Sequence, residues 1–256
     1  MTPARSIQSG TDHTDHTDHT DHTDHTDHAV VELRQYTLRP GRRDVLIGIF
    51  EAHFVDLHER FGSRVLALFR DLDDPDRFVW LRSFRDMPAR GAALTAFYES
   101  EVWTRNRDAA NATLVDHENV LLLRPARPLP RLGRVGQPGD RGRDGFVVVT
   151  VYPIAPAETD RFAELFEGRL EPALEEAGAE VVATYVTEPS ANNYPRLAIR
   201  EGESVFVSVA RFPDRGSHEA LDRSRAWRDL AADVERRLDG PPQILRLVPA
   251  ARSALT

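Results

Sequence analysis

Two hydrophobic rhythms take turns along this chain. VVELRQYTL (30–38) is β-branched and alternates apolar with polar positions, the period-two signature of a strand. After Pro40 and Gly41, residues Leu46, Ile49, Phe50, Phe54, Leu57 and Phe61 keep i, i+3, i+4 spacing, which predicts a helix over 42–61 closed by Gly62. Two apolar runs follow, 65–69 and 78–84, on either side of a stretch (71–76) holding four Asp and Pro75. Asp caps local backbone groups and Pro fixes its own φ, so the pair reads as a tight hairpin. A helical region over 88–114, broken near Glu101, and a short strand over 120–124 complete a β-α-β-β-α-β order, the ferredoxin-like unit.

The same order then returns. Residues 125–145 are rich in Pro, Gly and Arg with no apolar period, which marks a linker. Beyond it the pattern predicts a strand (146–154), a helix (159–178), paired strands (180–187 and 204–212), a helix (218–238) and a last strand (243–248). Trp103 precedes Leu121 by 18 residues and Trp227 precedes Ile244 by 17, so the second set reads as a repeat of the first. Two domains are expected, 30–125 and 146–249, with a Thr-Asp-His tail (1–29), a linker (126–145) and a C-terminal tail (250–256). The fold class is α+β. A ferredoxin-like sheet carries helices on one face only, so the bare faces, expected to hold Phe78, Trp80 and Phe84, should pack together as an α/β barrel within one chain. The cavity expected between the sheets is the default small-molecule site.

Composition narrows the chemistry more than it suggests it. The chain has no Cys, which excludes thiolate catalysis and disulfides, and no Lys, so all 33 basic residues are Arg and Schiff-base chemistry is excluded. A formal charge of −8 with no basic face argues against nucleic acid. No stretch approaches the ~20 apolar residues of a membrane span, and no signal-peptide core opens the chain, so a cytoplasmic protein without membrane contact is expected. Residues 11–28 are six copies of Thr-Asp-His, expected to be disordered, with imidazoles that could take a metal ion. No glycine-rich nucleotide motif or nucleophile elbow is present, and no tightly bound cofactor or catalytic metal is expected.

Several side chains remain that can do chemistry. Glu32, Arg34 and Tyr36 share one face of the first strand. Together they supply a carboxylate, a fixed cation and a phenol, either to hold an acidic substrate and move a proton or as an ion pair that sets register. Trp80 and Arg82 are candidate substrate contacts on the hairpin. Trp103, Arg107 and Asn111 lie on one helical stripe, where Arg107 either anchors a substrate carboxylate or pairs with Glu32 or Asp116. His53 falls between Phe50 and Leu57 on the apolar stripe, as a general base, a haem or metal ligand, or a satisfied core histidine. His58 is on the fringe of that stripe, His117 reads as a loop residue and His218 as a helix-start residue. Asn192 to Arg196 belong to a long connection that is either a lid or a clasp between halves, with Arg200 and Glu201 closing it.

The runs VELRQYTLRPGRR (31–43), FRDLDDPDRFVWLRSFRDM (69–87), VWTRNRDAANATLVDHENVLLLRP (102–125) and NNYPRLAIREGESVFV (192–207) resemble the NIPSNAP family. That family belongs to the dimeric α/β-barrel superfamily, which also holds antibiotic-type monooxygenases. The resemblance implies the tandem barrel fold. It also implies proton transfer (isomerisation, cyclisation or elimination) or cofactor-free oxygenation of an acidic or aromatic small molecule, in a secondary-metabolite setting. The other implied roles are a non-catalytic binding or scaffold protein and a haem protein. A monomer or a homodimer is compatible with the fused halves.

Overall fold

A computed structural model describes residues 28–128 and 145–253. The first half runs β1 (Val30–Leu38), α1 (Arg43–Ile49), α2 (Val55–Arg60), β2 (Ser63–Asp71), β3 (Arg77–Phe84), α3 (Met87–Glu99), α4 (Glu101–Asn111) and β4 (Leu114–Pro125). The second runs β5 (Phe146–Pro153), α5 (Thr159–Leu165), α6 (Glu171–Glu176), β6 (Glu180–Thr187), β7 (Val205–Phe212), α7 (Arg215–Arg223), α8 (Arg225–Glu235) and β8 (Gln243–Pro249). The Thr-Asp-His repeats, apart from His28, and most of the expected linker lie outside the described residues.

The two sheets close into one antiparallel barrel in the order β1-β3-β2-β8-β5-β7-β6-β4. Short seams join the halves, Phe69↔Pro249 to Asp71↔Leu247 on one side and Leu123↔Thr187 to Pro125↔Tyr185 on the other. Closure leaves no sheet edge open.

Strand alternation decides what each face holds, and here two expectations are corrected. Val31, Leu33, Val79, Leu81, Val149, Val207 and Leu245 point inward and fill the barrel as one apolar cluster. The space between the sheets is therefore core and not the expected cavity. Phe78, Trp80 and Phe84 point the other way, toward the helices, because they share parity with Tyr36 across the β1–β3 register, Tyr36↔Phe78 and Arg34↔Trp80.

The helix expected over 42–61 contains a wide π turn, Phe50–Phe54, and the second half repeats it at Phe166–Leu170. The extra residue in that turn rotates the following side chains relative to an α-helical count. Phe54 and His58 are buried as a result and His53 is exposed, which corrects the expected placement of His53. Gly62 and Gly178 end the two helical stretches at φ of 84° and 81°, a left-handed backbone that glycine adopts without a Cβ clash. Asp86 and Asp214 cap α3 and α7 by accepting from Ala89 N (2.7 Å) and Ser217 N (2.8 Å).

The chain end also returns to the first half. Ala250 N donates to Leu68 O at 2.8 Å, and the buried Arg252 guanidinium reaches Asp56 and the Glu51 carbonyl.

Candidate active site

A cavity of 710 Å³ lies between the outer face of the first-half sheet and its helices, on the opposite side of the sheet from the expected position. Tyr36 and Trp80 floor it from β1 and β3. Phe50, Phe54 and His58 line one side from the π turn and α2, and Phe97, Tyr98 and Trp103 the other from α3 and α4. The walls are a continuous aromatic set, with Phe50 edge-on to Trp80 at 4.8 Å and Tyr98 edge-on to Trp103 at 4.8 Å. Such walls suit a flat apolar molecule.

Behind the floor sits a buried ionic cluster. Glu32 Oε2 accepts from Arg34 Nη1 (2.6 Å) and Arg82 Nε (2.8 Å), and its Oε1 accepts from Arg90 Nε (2.7 Å). Burial alone would raise the Glu32 carboxyl, but Arg82, Arg34 and Arg90 outweigh it and hold the group well below the usual carboxylate range. Glu32 thus anchors three arginines, an arrangement that makes it a poor proton acceptor. Arg34 Nε donates to the Tyr36 hydroxyl at 2.9 Å. That bond occupies a lone pair on the oxygen and leaves its proton free to be donated, so Tyr36 is a charge-assisted donor on the cavity floor.

His58 is the buried imidazole of this cavity. Its Nδ1 lies 2.9 Å from Ser63 Oγ, and Ser63 Oγ donates its own proton to the His58 carbonyl at 3.1 Å. The serine oxygen must therefore accept from Nδ1–H, which leaves Nε2 as the unprotonated nitrogen. The ring stacks on Phe97 at 4.2 Å and 6°. Burial, with the nearby Arg82 and Arg34 charges, pulls its pKa well below the ordinary histidine value, so the ring is neutral at pH 7.

The mouth is built from both halves. Arg107 and Asn111 reach it from α4, exposed, and Arg107 pairs with its neighbour Asp108 at 3.5 Å. Pairing of Arg107 with Glu32 or Asp116, expected from the sequence, is absent among the described residues. His117 is on β4 rather than in a loop, because that strand begins at Leu114, and its ring lies 6.2 Å from Tyr36. Tyr194, Arg196 and Leu197 arrive from the long connection between β6 and β7. Arg90 Nη1 donates to Asn192 Oδ1 (3.1 Å) and Asn193 Oδ1 (2.7 Å), and Tyr194 stacks on Tyr98 at 5.9 Å, so this segment is a clasp that also walls the cavity. Its closing ion pair is Arg200 with Glu203, not with Glu201.

Of the residues expected to form a site, Tyr36, Trp80, Trp103, Arg107 and Asn111 line one cavity, while Glu32, Arg34 and Arg82 stand one layer behind it. Only His53 falls away. Arg90 escaped notice in the sequence, although it holds i, i+4, i+7 spacing with Leu94 and Phe97, the same signal that singled out Arg107.

Residues 31–130 match the model of the NIPSNAP family. The chain is similar in fold to an anthrone oxidase-like protein, at 16% identity and a TM-score of 0.56 over 91% of this chain and 97% of that one. It is also similar to a candidate monooxygenase from Fusobacterium nucleatum (12% identity, TM-score 0.55, 87% and 92% covered). Another from Lactobacillus acidophilus follows (10%, 0.54, 87% and 94%). At these identities the likeness establishes the fold. None of the curated proteins compared matches the chain. Among the described residues, no helix is long and apolar enough to cross a membrane and no His, Asp or Glu cluster could hold a metal ion.

Proposed function

We propose that this chain, whose residues 31–130 match the NIPSNAP family model, takes a planar aromatic small molecule into the first-half cavity and removes a proton from it. The observation that carries this reading is a neutral imidazole, His58, on the wall of an aromatic-lined cavity whose floor presents the Arg34-supported Tyr36 hydroxyl. His58 Nε2 accepts the proton. The enolate or phenolate so formed takes the hydrogen bond of Tyr36 O–H, a donor already aimed by Arg34 at the place where negative charge develops.

The fold neighbour called anthrone oxidase-like supplies a concrete first substrate. Deprotonation of anthrone gives an electron-rich enolate, and its oxidation by dioxygen yields anthraquinone and water with all atoms accounted for. The protein's share is the proton transfer and the stabilisation of the anion.

The test follows anthrone to anthraquinone by absorbance under air, with dioxygen uptake recorded beside it. Turnover by the wild type that falls on the order of a hundredfold or more in His58→Leu supports the reading. Turnover unchanged by His58→Leu contradicts the role of His58. Failure of anthrone and related planar phenols to bind at all contradicts the site.

A further inference from the structure

The Glu32 cluster holds more positive charge than its surroundings answer. Three guanidinium groups meet one carboxylate, a net charge of two positive, and all four side chains are 0 or 1% exposed. Arg34 Nη2, Arg82 Nη2 and Arg90 Nη2 have no hydrogen-bond acceptor among the described residues, although Arg82 Nη2 lies 2.7 Å from Glu32 Oε2 without hydrogen-bond alignment. Burying such an excess is costly unless something answers it.

The charge sits directly behind the cavity. The Arg34 and Arg82 guanidinium carbons are 5.5 and 5.2 Å from the ring of Trp80, which lines the cavity. The cations thus stand directly against two cavity-lining rings, Trp80 and Tyr36, and buried charges are little screened by salt.

We infer that the cavity takes its ligand as an anion, and that the ligand class is a weakly acidic aromatic (a phenol, an enol or a β-dicarbonyl) whose negative charge is the missing counter-charge of the arginine cluster. This rests on the reading of the cavity as a small-molecule site. The other charged groups facing the cavity agree with it. Arg107 and Arg196 add positive charge at the mouth, and the one opposing carboxylate there, Asp108, is drawn to Arg107. His58 is neutral, His117 is exposed at the rim, and burial pushes the Tyr98 hydroxyl up to about 12, so it stays a donor. Field and base cooperate. The Arg82 and Arg34 charges, which add to burial in keeping His58 unprotonated, also lower the pKa of a phenol bound beside it, so a weak base suffices.

Alizarin, a three-ring dihydroxyanthraquinone whose colour reports its ionisation, is the probe. Titrated by absorbance with protein in excess, bound alizarin should ionise on the order of one to three pH units below the free dye. Arg90→Gln removes one charge at a side chain that does not itself line the cavity, and should return about one unit of that shift. The dimethyl ether of alizarin, which cannot ionise, should bind the wild type roughly tenfold more weakly at neutral pH, and this comparison decides the matter if Arg90→Gln does not fold. Alizarin bound with an unshifted or raised pKa, or an ether that binds equally well, overturns the inference and leaves the cavity reading standing. Absence of binding by both overturns the two together.

Discussion

The two halves of this barrel are built alike and equipped differently. Tyr36 faces Phe78 across its ladder as Tyr152 faces Phe206, and the π turns, the helix-ending Gly62 and Gly178 and the capping Asp86 and Asp214 all correspond. On that frame Glu32, Arg34, Arg82 and Arg90 stand where the second half has Val148, Thr150, Ala210 and His218. His58 and Trp80 stand where it has Leu174 and Ser208. The corresponding cavity shrinks from 710 to 70 Å³. Since the second half folds around Val148, Thr150, Ala210 and His218, the fold does not need the cluster of three arginines and a glutamate. The buried charge and the large cavity occur together in the first half, which ties the cluster to a site rather than to the architecture.

The comparison can be broken most severely at Glu32. Glu32→Val leaves three buried guanidinium groups without a counter-charge and should cost about 3–5 kcal/mol or prevent folding. Installing the second half's whole set, Glu32→Val with Arg34→Thr, Arg82→Ala and Arg90→His, should recover at least ~2 kcal/mol of that in guanidinium denaturation. A cost below about 1 kcal/mol for the single change would mean the cluster is not the closed unit described.

His58→Leu copies Leu174 into the first half. It should lower anthrone turnover roughly 10²- to 10⁴-fold, with alizarin affinity within about threefold of wild type, because it removes the proton acceptor and keeps the aromatic wall. An equal fall in affinity would make His58 a packing residue.

A smaller effect sharpens the same residue. The folded His58 pKa is depressed by burial and Arg82, so between that value and the unfolded ~6.5 the unfolded chain binds more protons. Stability is therefore whole above about pH 6.5 and falls as pH drops, by up to ~1.4 kcal/mol per unit. His218, also depressed by burial, contributes a slope of the same sign. Urea midpoints at pH 7.5 and 5.5 should differ less in His58→Leu than in wild type, and a slope unchanged by the substitution would place the titration elsewhere.

The least effect is expected at the clasp. Asn193→Ala removes one acceptor of Arg90 and should cost ~1 kcal/mol, with faster hydrogen exchange confined to residues 188–204. Global loss of protection would mean that the clasp holds the halves together.

What could be read in the chain divides along physical lines. Element order and the repeat were legible because strand and helix periods are local, and the one-face grouping of Glu32, Arg34 and Tyr36 follows from alternation alone. Which side of the sheet that face meets is not local. Trp80 and Phe78 are as apolar as Val79 and Leu81, so parity gave two faces without saying which one the helices cover. His53 was misplaced because an α-helical count carries no sign of a π turn, and one inserted residue exchanges it with His58. Arg90 finds Glu32 across 58 residues of sequence, a pairing that only the folded register creates.

The most direct trial of the first-half cavity as the site is a crystal structure of the protein with alizarin bound. The account predicts the three rings in the first half between Trp80 and the Phe97–Tyr98 wall, with a phenolic oxygen within hydrogen-bond distance of Tyr36 Oη. Rings lodged in the second half, or within the barrel between the sheets, would contradict it.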